Sequence, residues 1–195
     1  MLGFAAFAKE NPPGLPIAHE PVSLGAMALP DLTPDCRNCD ALCCVLLAFD
    51  RSRAFAFDKP AFEPCRNLAQ NRCTIHADLA AKGFPGCTAF NCHGAGQRIT
   101  QTVFKGRSWR DDPGLMPALD QAFRIQRRLH EALVMLQHAA TLDLTADQTA
   151  TRQTLLETLA APRDEAALQG PEPLDALSEA ARFFASLRAV TPPRR

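Results

Sequence analysis

All eight cysteines of this chain fall between Cys36 and Cys92, in three blocks that read CRNCDALCC, PCRNLAQNRCTIH and FPGCTAFNCHGAGQ. The residues on either side contain none. No other feature constrains the fold as strongly. Thiolates are soft ligands, and four of them suit a tetrahedral zinc site or an iron–sulfur cluster. A shared metal ties distant loops together, so a loop-rich module can be ordered without a large core of its own.

The spacing assigns candidate ligands. Cys36-x2-Cys39 is a two-ligand bite, because two intervening residues let both sulfurs turn to one centre. A helix over about 34–47 would place Cys36, Cys39 and Cys43 on one face. The remaining ligands must come from far along the chain, from Cys65, Cys73, Cys87 and Cys92. The adjacent pair Cys43-Cys44 is informative. Neighbouring Cα atoms stand about 3.8 Å apart, too close for an ordinary disulfide. On a helix the two side chains point roughly 100° apart, so one metal does not easily take both. Either the pair serves two neighbouring centres, or one thiol is a ligand and the other lies in the core. We take all eight cysteines as candidate ligands and expect one main centre that includes Cys36, Cys39 and Cys43. His76 and His93 are expected outside the ligand set, as surface or supporting groups.

Disulfides are the competing use of eight thiols, with 105 possible pairings. The N-terminus, MLGFAAFAKE, lacks a basic leader, and its apolar run is broken by Lys9 and Glu10. The expected compartment is therefore the reducing cytoplasm, where clustered cysteines serve metals or redox chemistry.

Around the cysteines the chain reads in three parts. Residues 1–33 form a Pro-rich N-terminal segment, with a helical turn near 22–28 and Leu15, Ile17 and Leu24 as apolar anchors. Residues 34–110 form the cysteine-rich module, small and irregular with minor β structure. Within it Phe55 and Phe57 suggest a strand ended by Asp58-Lys59-Pro60, and 75–82 a short helix closed by Gly83. Phe84-Pro85-Gly86 reads as a turn delivering Cys87, Gly94-Ala95-Gly96 as a turn after Cys92, and RITQTVF as a strand.

Residues 111–195 form a helical domain of about three helices, which makes the whole mainly α. Leu115, Leu119, Ala122, Leu129, Leu133, Leu136 and Ala140 recur at three- and four-residue steps, interrupted at Gln126. They predict a long amphipathic helix over about 113–142, opened by Asp112-Pro113. His130 and His138 are expected at its solvent side or core edge. Thr145-x-x-Gln148 predicts a capping box and a second helix to about Ala160, stopped by Pro162. Leu174, Leu177, Ala181, Phe184 and Leu187 mark a third, after a Gly170-Pro171-x-Pro173 linker. Arg124, Arg127 and Arg128 read as a solvated face.

Bulk properties narrow the function. The 21 basic residues balance 21 acidic ones, which gives no general attraction to nucleic acid or anionic membrane. No stretch approaches the roughly 20 apolar residues of a membrane span. The expected partner is a metal ion or cluster. A protein partner on the C-terminal helices would be marked by a leftover apolar face.

CRNCDALCC matches the C-x2-C-x3-CC signature of the YkgJ-type family, described as zinc- or iron-chelating. Cys65-x2-Leu68-x4-Cys73-x-Ile75-His76 followed by Cys87-x4-Cys92 is similar to that family's continuation. The resemblance spans about residues 36–97 and implies that these cysteines form a metal or iron–sulfur site. The FDKP, GFPGCT and CHGAGQ blocks also resemble cysteine-rich bacterial proteins labelled pentapeptide-repeat. Here 77–81 fits one such unit and stands alone, whereas a β-helix needs many stacked units.

Three functions follow. The first is a metal-binding module whose centre is mainly structural, since four bound thiolates leave no open position. The second is a redox, sensing or metal-handling iron–sulfur protein that uses spare thiols such as Cys44. The third is an enzyme supported by the cysteine module. For it the chain offers no Gly-rich cofactor loop after a strand and no nucleophile elbow.

Overall fold

The computed structural model of the chain describes residues 29–189. The expectations for residues 1–28 and for Pro192-Pro193 lie outside them. About 54% of the described residues are helical, and the only sheet among them has two strands. The fold is mainly α with minor β.

In chain order the elements are α1 (Leu42–Leu46), β1 (Leu68–Ala69), β2 (Arg72–Cys73), α2 (Pro85–Ala89), α3 (Ala95–Gln97), α4 (Met116–Ala139), α5 (Ala146–Ala160), α6 (Glu165–Gln169) and α7 (Glu172–Ser186). Helix α3 runs directly into a π-helical turn over Arg98–Val103.

The long helix α4 is the spine. Its predicted stripe is buried at Leu119, Ala122, Leu129, Leu133 and Leu136, with Phe123 added. Gln126, the interruption, is buried with them. Helices α5, α6 and α7 pack against α4, and so do α1 and α3. One contiguous core therefore runs from Leu42, Val45 and Leu46 through Ile99, Val103 and Phe104 to Leu159, Leu177 and Phe183. On α4 the large exposed apolar residue is Met135. Truncating a fully buried leucine such as Leu42 or Leu133 should cost about 2–5 kcal/mol.

Local chemistry explains the helix ends. Asp112 accepts from Gly114 N, and Pro113 opens the 3-10 turn that leads into α4. The capping box of α5 forms as expected: Gln148 N donates to Thr145 Oγ1 at 3.2 Å, and Thr145 N donates to Gln148 Oε1 at 2.9 Å. At the other end of α5, the Arg163 guanidinium donates to the carbonyls of Thr158, Leu159 and Ala161 and pairs with Glu172 at the start of α7. The expected linker at Gly170–Pro173 is shorter than supposed, because Pro171 caps α7 and Pro173 occupies its first turn. The one-turn helix α6 is not marked by any apolar period in the sequence; Asp164 caps it.

Several expectations for the module are corrected. The helix expected over 34–47 is only α1, because Ala41 takes a left-handed conformation (φ 55°) and blocks helix before it. The strand expected at Phe55–Phe57 is a looped excursion closed by a single bridge between Phe49 and Lys59. The 75–82 helix is a 3-10 turn over His76–Asp78. Phe84-Pro85-Gly86 begins helix α2, with Pro85 in its first turn. The RITQTV strand is instead helical. Ile99, Thr100 and Val103 are buried there, with the segment packed against α4, so packing overrides their β propensity.

Candidate metal centre

The two thiols of the first bite sit on a loop, not a helix. Asp35 shapes it by accepting from Arg37 N at 2.9 Å and from Asn38 Nδ2 at 2.7 Å. These bonds hold the Asp35 carboxyl below its ordinary range. The α3 segment then clamps the loop from the other side. Gln97 accepts from Asp35 N and donates to Thr33 O; Gln101 donates to Asn38 O; Thr100 Oγ1 accepts from Asp40 N and donates to Gly96 O. Trp109 closes the back, donating from Nε1 to Asp40 O at 2.9 Å.

This clamp brings Cys36, Cys39, Cys43 and Cys92 around one small cavity of about 20 Å³, whose wall also includes Gly96, Gln97 and Phe123. Gly96 is required there. A Cβ at that position would stand 2.6 Å from Cys39 Sγ and 4.0 Å from Cys92 Sγ. The backbone of α3 is thus pressed against two of the thiols.

The other four cysteines lie elsewhere. Cys44 is outside the cavity wall, although its Sγ is 3.9 Å from that of Cys43. Cys65 is tied to it through the backbone, with Cys65 N donating to Cys44 O at 2.9 Å. Cys73 faces Leu68 across the β1–β2 hairpin, and Leu68 N in turn bonds to Cys65 O. Cys87 rides on α2, which is anchored by Gly86 N to Ala54 O and by packing of Phe55 on Gly86. Phe49, Phe55, Phe57 and Phe84 form the ring cluster beneath this side, with Phe49 and Phe55 stacked at 4.3 Å and Phe57 edge-on to Phe84 at 4.9 Å.

All eight are free thiols. Burial pushes Cys39 up to about 12 and Cys87 up to about 11, and raises Cys36 and Cys73. Cys43 is raised by its contact with Cys44 and by burial; Cys44 is lowered by the same contact and by the Lys59 charge. An entering cation must therefore displace protons from most of these groups. Among the described residues, no group of three or more His, Cys, Asp or Glu side chains already forms a ready-made metal site. The thiols border the cavity without converging on one point.

His76 is exposed and stands apart. His93 contributes its backbone: its carbonyl meets His130 Nδ1 at 2.5 Å. His130 is thus not at the solvent side of α4 but buried at 1% exposure. A carbonyl can only accept, so Nδ1 carries the proton, and Nε2 is left buried without a partner. Burial drives this imidazole down to about 4, which keeps it neutral. The bond fastens α4 to the residue after Cys92. His138, by contrast, is exposed as expected, and Arg124 and Arg127 pair with Asp120 and Glu131 on the helix surface.

Gly96, Thr100, Lys59 and His130 are the residues that sequence reading missed. Lys59 and Gly96 fall in the FDKP and CHGAGQ blocks, which carry no ligand spacing of their own, and Thr100 and His130 belong to no motif. Lys59 is 4% exposed and donates to the carbonyls of Val45, Leu47 and Pro60 at 2.6–3.0 Å. It caps the C-terminus of α1, where a cation is favoured.

No protein-family model and no solved structure matches the chain. It is similar to the uncharacterized protein YybG of Bacillus subtilis (strain 168), 45% identical over 115 residues that make up 58% of this chain. The chain spans 41% of that relative's length.

Proposed function

We propose that this chain is a metal-binding protein whose cysteine module holds a mainly structural thiolate-bound ion, zinc by the chemistry of its donors. One observation carries the reading: Cys36, Cys39, Cys43 and Cys92, drawn from two segments about fifty residues apart in sequence, line a single small cavity against Gly96. Four soft donors satisfy tetrahedral zinc completely and leave no position for substrate. The volume, about 20 Å³, is a little above the roughly 10–15 Å³ one water-sized particle needs. That favours a single ion over a cluster of several iron and sulfide atoms. The role of such an ion is to lock the Cys36–Cys39 loop onto the α3 segment and so onto α4. The reducing, cytoplasmic setting that free thiols require is part of the same proposal.

The test is metal analysis with a visible spectrum on protein purified without oxygen. Zinc in fixed ratio, without colour, supports the closed structural site. Iron with acid-labile sulfide and a brown chromophore would replace it with the iron–sulfur reading and bring redox or sensing roles forward. Protein that binds neither metal when refolded with it would overturn both.

A further inference from the structure

We propose that the cavity between the end of the π-helical turn and the α5–α6 corner binds a small organic carboxylate with an apolar tail, with Lys105 as its charge partner. The proposal is independent of the metal reading, because no cysteine borders this cavity.

The cavity has a volume of about 910 Å³, within the roughly 300–1,000 Å³ of small-molecule sites. One wall comes from within residues 102–107 and the other from within 162–169. The first wall has an unusual backbone. Arg98–Val103 is π-helical, a form found mostly as single turns and often at functional sites. Phe104 N donates to Ile99 O at 2.9 Å and Gly106 N to Thr100 O at 2.8 Å, which keeps the turn wide. Lys105 takes a left-handed conformation, φ 53°, which disfavours any residue with a Cβ. The second wall is fixed by Arg163. All five N–H donors of its guanidinium are used, on the carbonyls of Thr158, Leu159 and Ala161 and on the Glu172 carboxylate.

The charges in the lining decide the ligand. Arg107 pairs with Glu165 and lies over the Phe104 ring, 5.0 Å from its centroid. Asp164 is occupied at its own helix, where Oδ1 accepts from Ala167 N. Among the described residues, Lys105 alone of these charged side chains has no hydrogen bond or ion pair. The Thr102 hydroxyl and the Gln169 amide are likewise unpartnered there. A complementary ligand therefore brings acceptors and one negative charge. A carboxylate carries one. A phosphate monoester carries about 1.5–2 at neutral pH, and the excess would meet Asp164 and Glu165. Val103, Phe104, Pro162 and Ala166 supply apolar lining for the tail.

The experiment titrates the isotope-labelled full chain with benzoate, hexanoate, phenyl phosphate and benzamide and follows backbone amide shifts. Benzoate or hexanoate should bind saturably and shift amides in 102–107 and 162–169. Benzamide, which has the shape of benzoate without its charge, should bind about tenfold more weakly, and phenyl phosphate more weakly than benzoate. Lys105→Met should weaken the carboxylate by about tenfold, the loss of one charge-assisted hydrogen bond, and Lys105→Arg should restore most of it. Lys105 is exposed, so both variants should keep the native amide spectrum. Saturable binding of neither carboxylate, or shifts confined to other residues, would overturn the site. Benzamide binding as tightly as benzoate, or unchanged affinity in Lys105→Met, would overturn the role of Lys105. Phenyl phosphate binding more tightly than benzoate would overturn the carboxylate assignment.

Discussion

Gly96→Ala separates the geometry of the site from ordinary helix energetics. Gly96 lies inside α3, where alanine is normally favoured over glycine by about 1 kcal/mol. Propensity alone thus predicts a more stable protein. The structure reverses the sign. The new Cβ would stand 2.6 Å from Cys39 Sγ, whereas ordinary contact begins near 3.5–4.0 Å. The sulfur must retreat by about 1 Å. Zinc–sulfur bonds are about 2.3 Å long with a tolerance of about 0.2 Å, so a displaced sulfur no longer ligates. Structural zinc sites bind with roughly 10–16 kcal/mol over four ligands, so loss of one should cost about 3 kcal/mol, or roughly 100-fold in affinity. Competition with a chromophoric chelator measures this directly. Gly106→Ala is the control. Unlike Gly96 it has a positive φ, 80°, and nothing lies within 4 Å of its Cβ position. It should cost about 1–2 kcal/mol of stability and leave metal affinity unchanged. Wild-type affinity in Gly96→Ala would refute the placement of Cys39 as a ligand of the cavity.

Three further outcomes follow. His130 is neutral in the fold, and its value is lowered from 6.5 to about 4. Stability should therefore be full above pH 6.5 and fall by about 3 kcal/mol as pH drops toward 4, because the unfolded chain takes up a proton that the folded chain refuses; urea midpoints across that window should show this component vanish in His130→Leu. Arg163→Met removes the guanidinium that joins the end of α5 to Glu172, and should cost about 2–3 kcal/mol and lower Tm by about 5–10 °C with metal content unchanged. Trp109, the only tryptophan, is bonded to the carbonyl of the residue after Cys39; its fluorescence should change on chelation in wild type and already be altered in Cys39→Ser, but remain native-like in Cys87→Ser.

Much of the helical half was legible because its signals are local. The stripe from Leu119 to Leu136, the Thr145–Gln148 box and the Asp112-Pro113 start each depend on residues within a few positions of one another, and each appears in the structure. The same local logic failed at 98–103. β-branched residues favour a strand only when nothing larger intervenes, and there packing against α4 buries them as helix. It failed again at His130, whose place on the helix face is set by the carbonyl of His93.

For the candidate site, the sequence by itself determined the donor chemistry: eight thiols, a two-ligand bite, and an adjacent pair that one ion does not easily share. Which thiols stand together was decided only by the tertiary structure. Cys92 joins Cys36 and Cys39 because Gln97, Thr100 and Gln101 reach back sixty or more positions to clamp their loop. Cys65 joins Cys44 through one backbone bond across the Lys59 turn. Spacing encodes only what neighbours along the chain can reach, whereas the grouping of distant ligands depends on the surfaces that α4, the hairpin and the phenylalanine cluster bury.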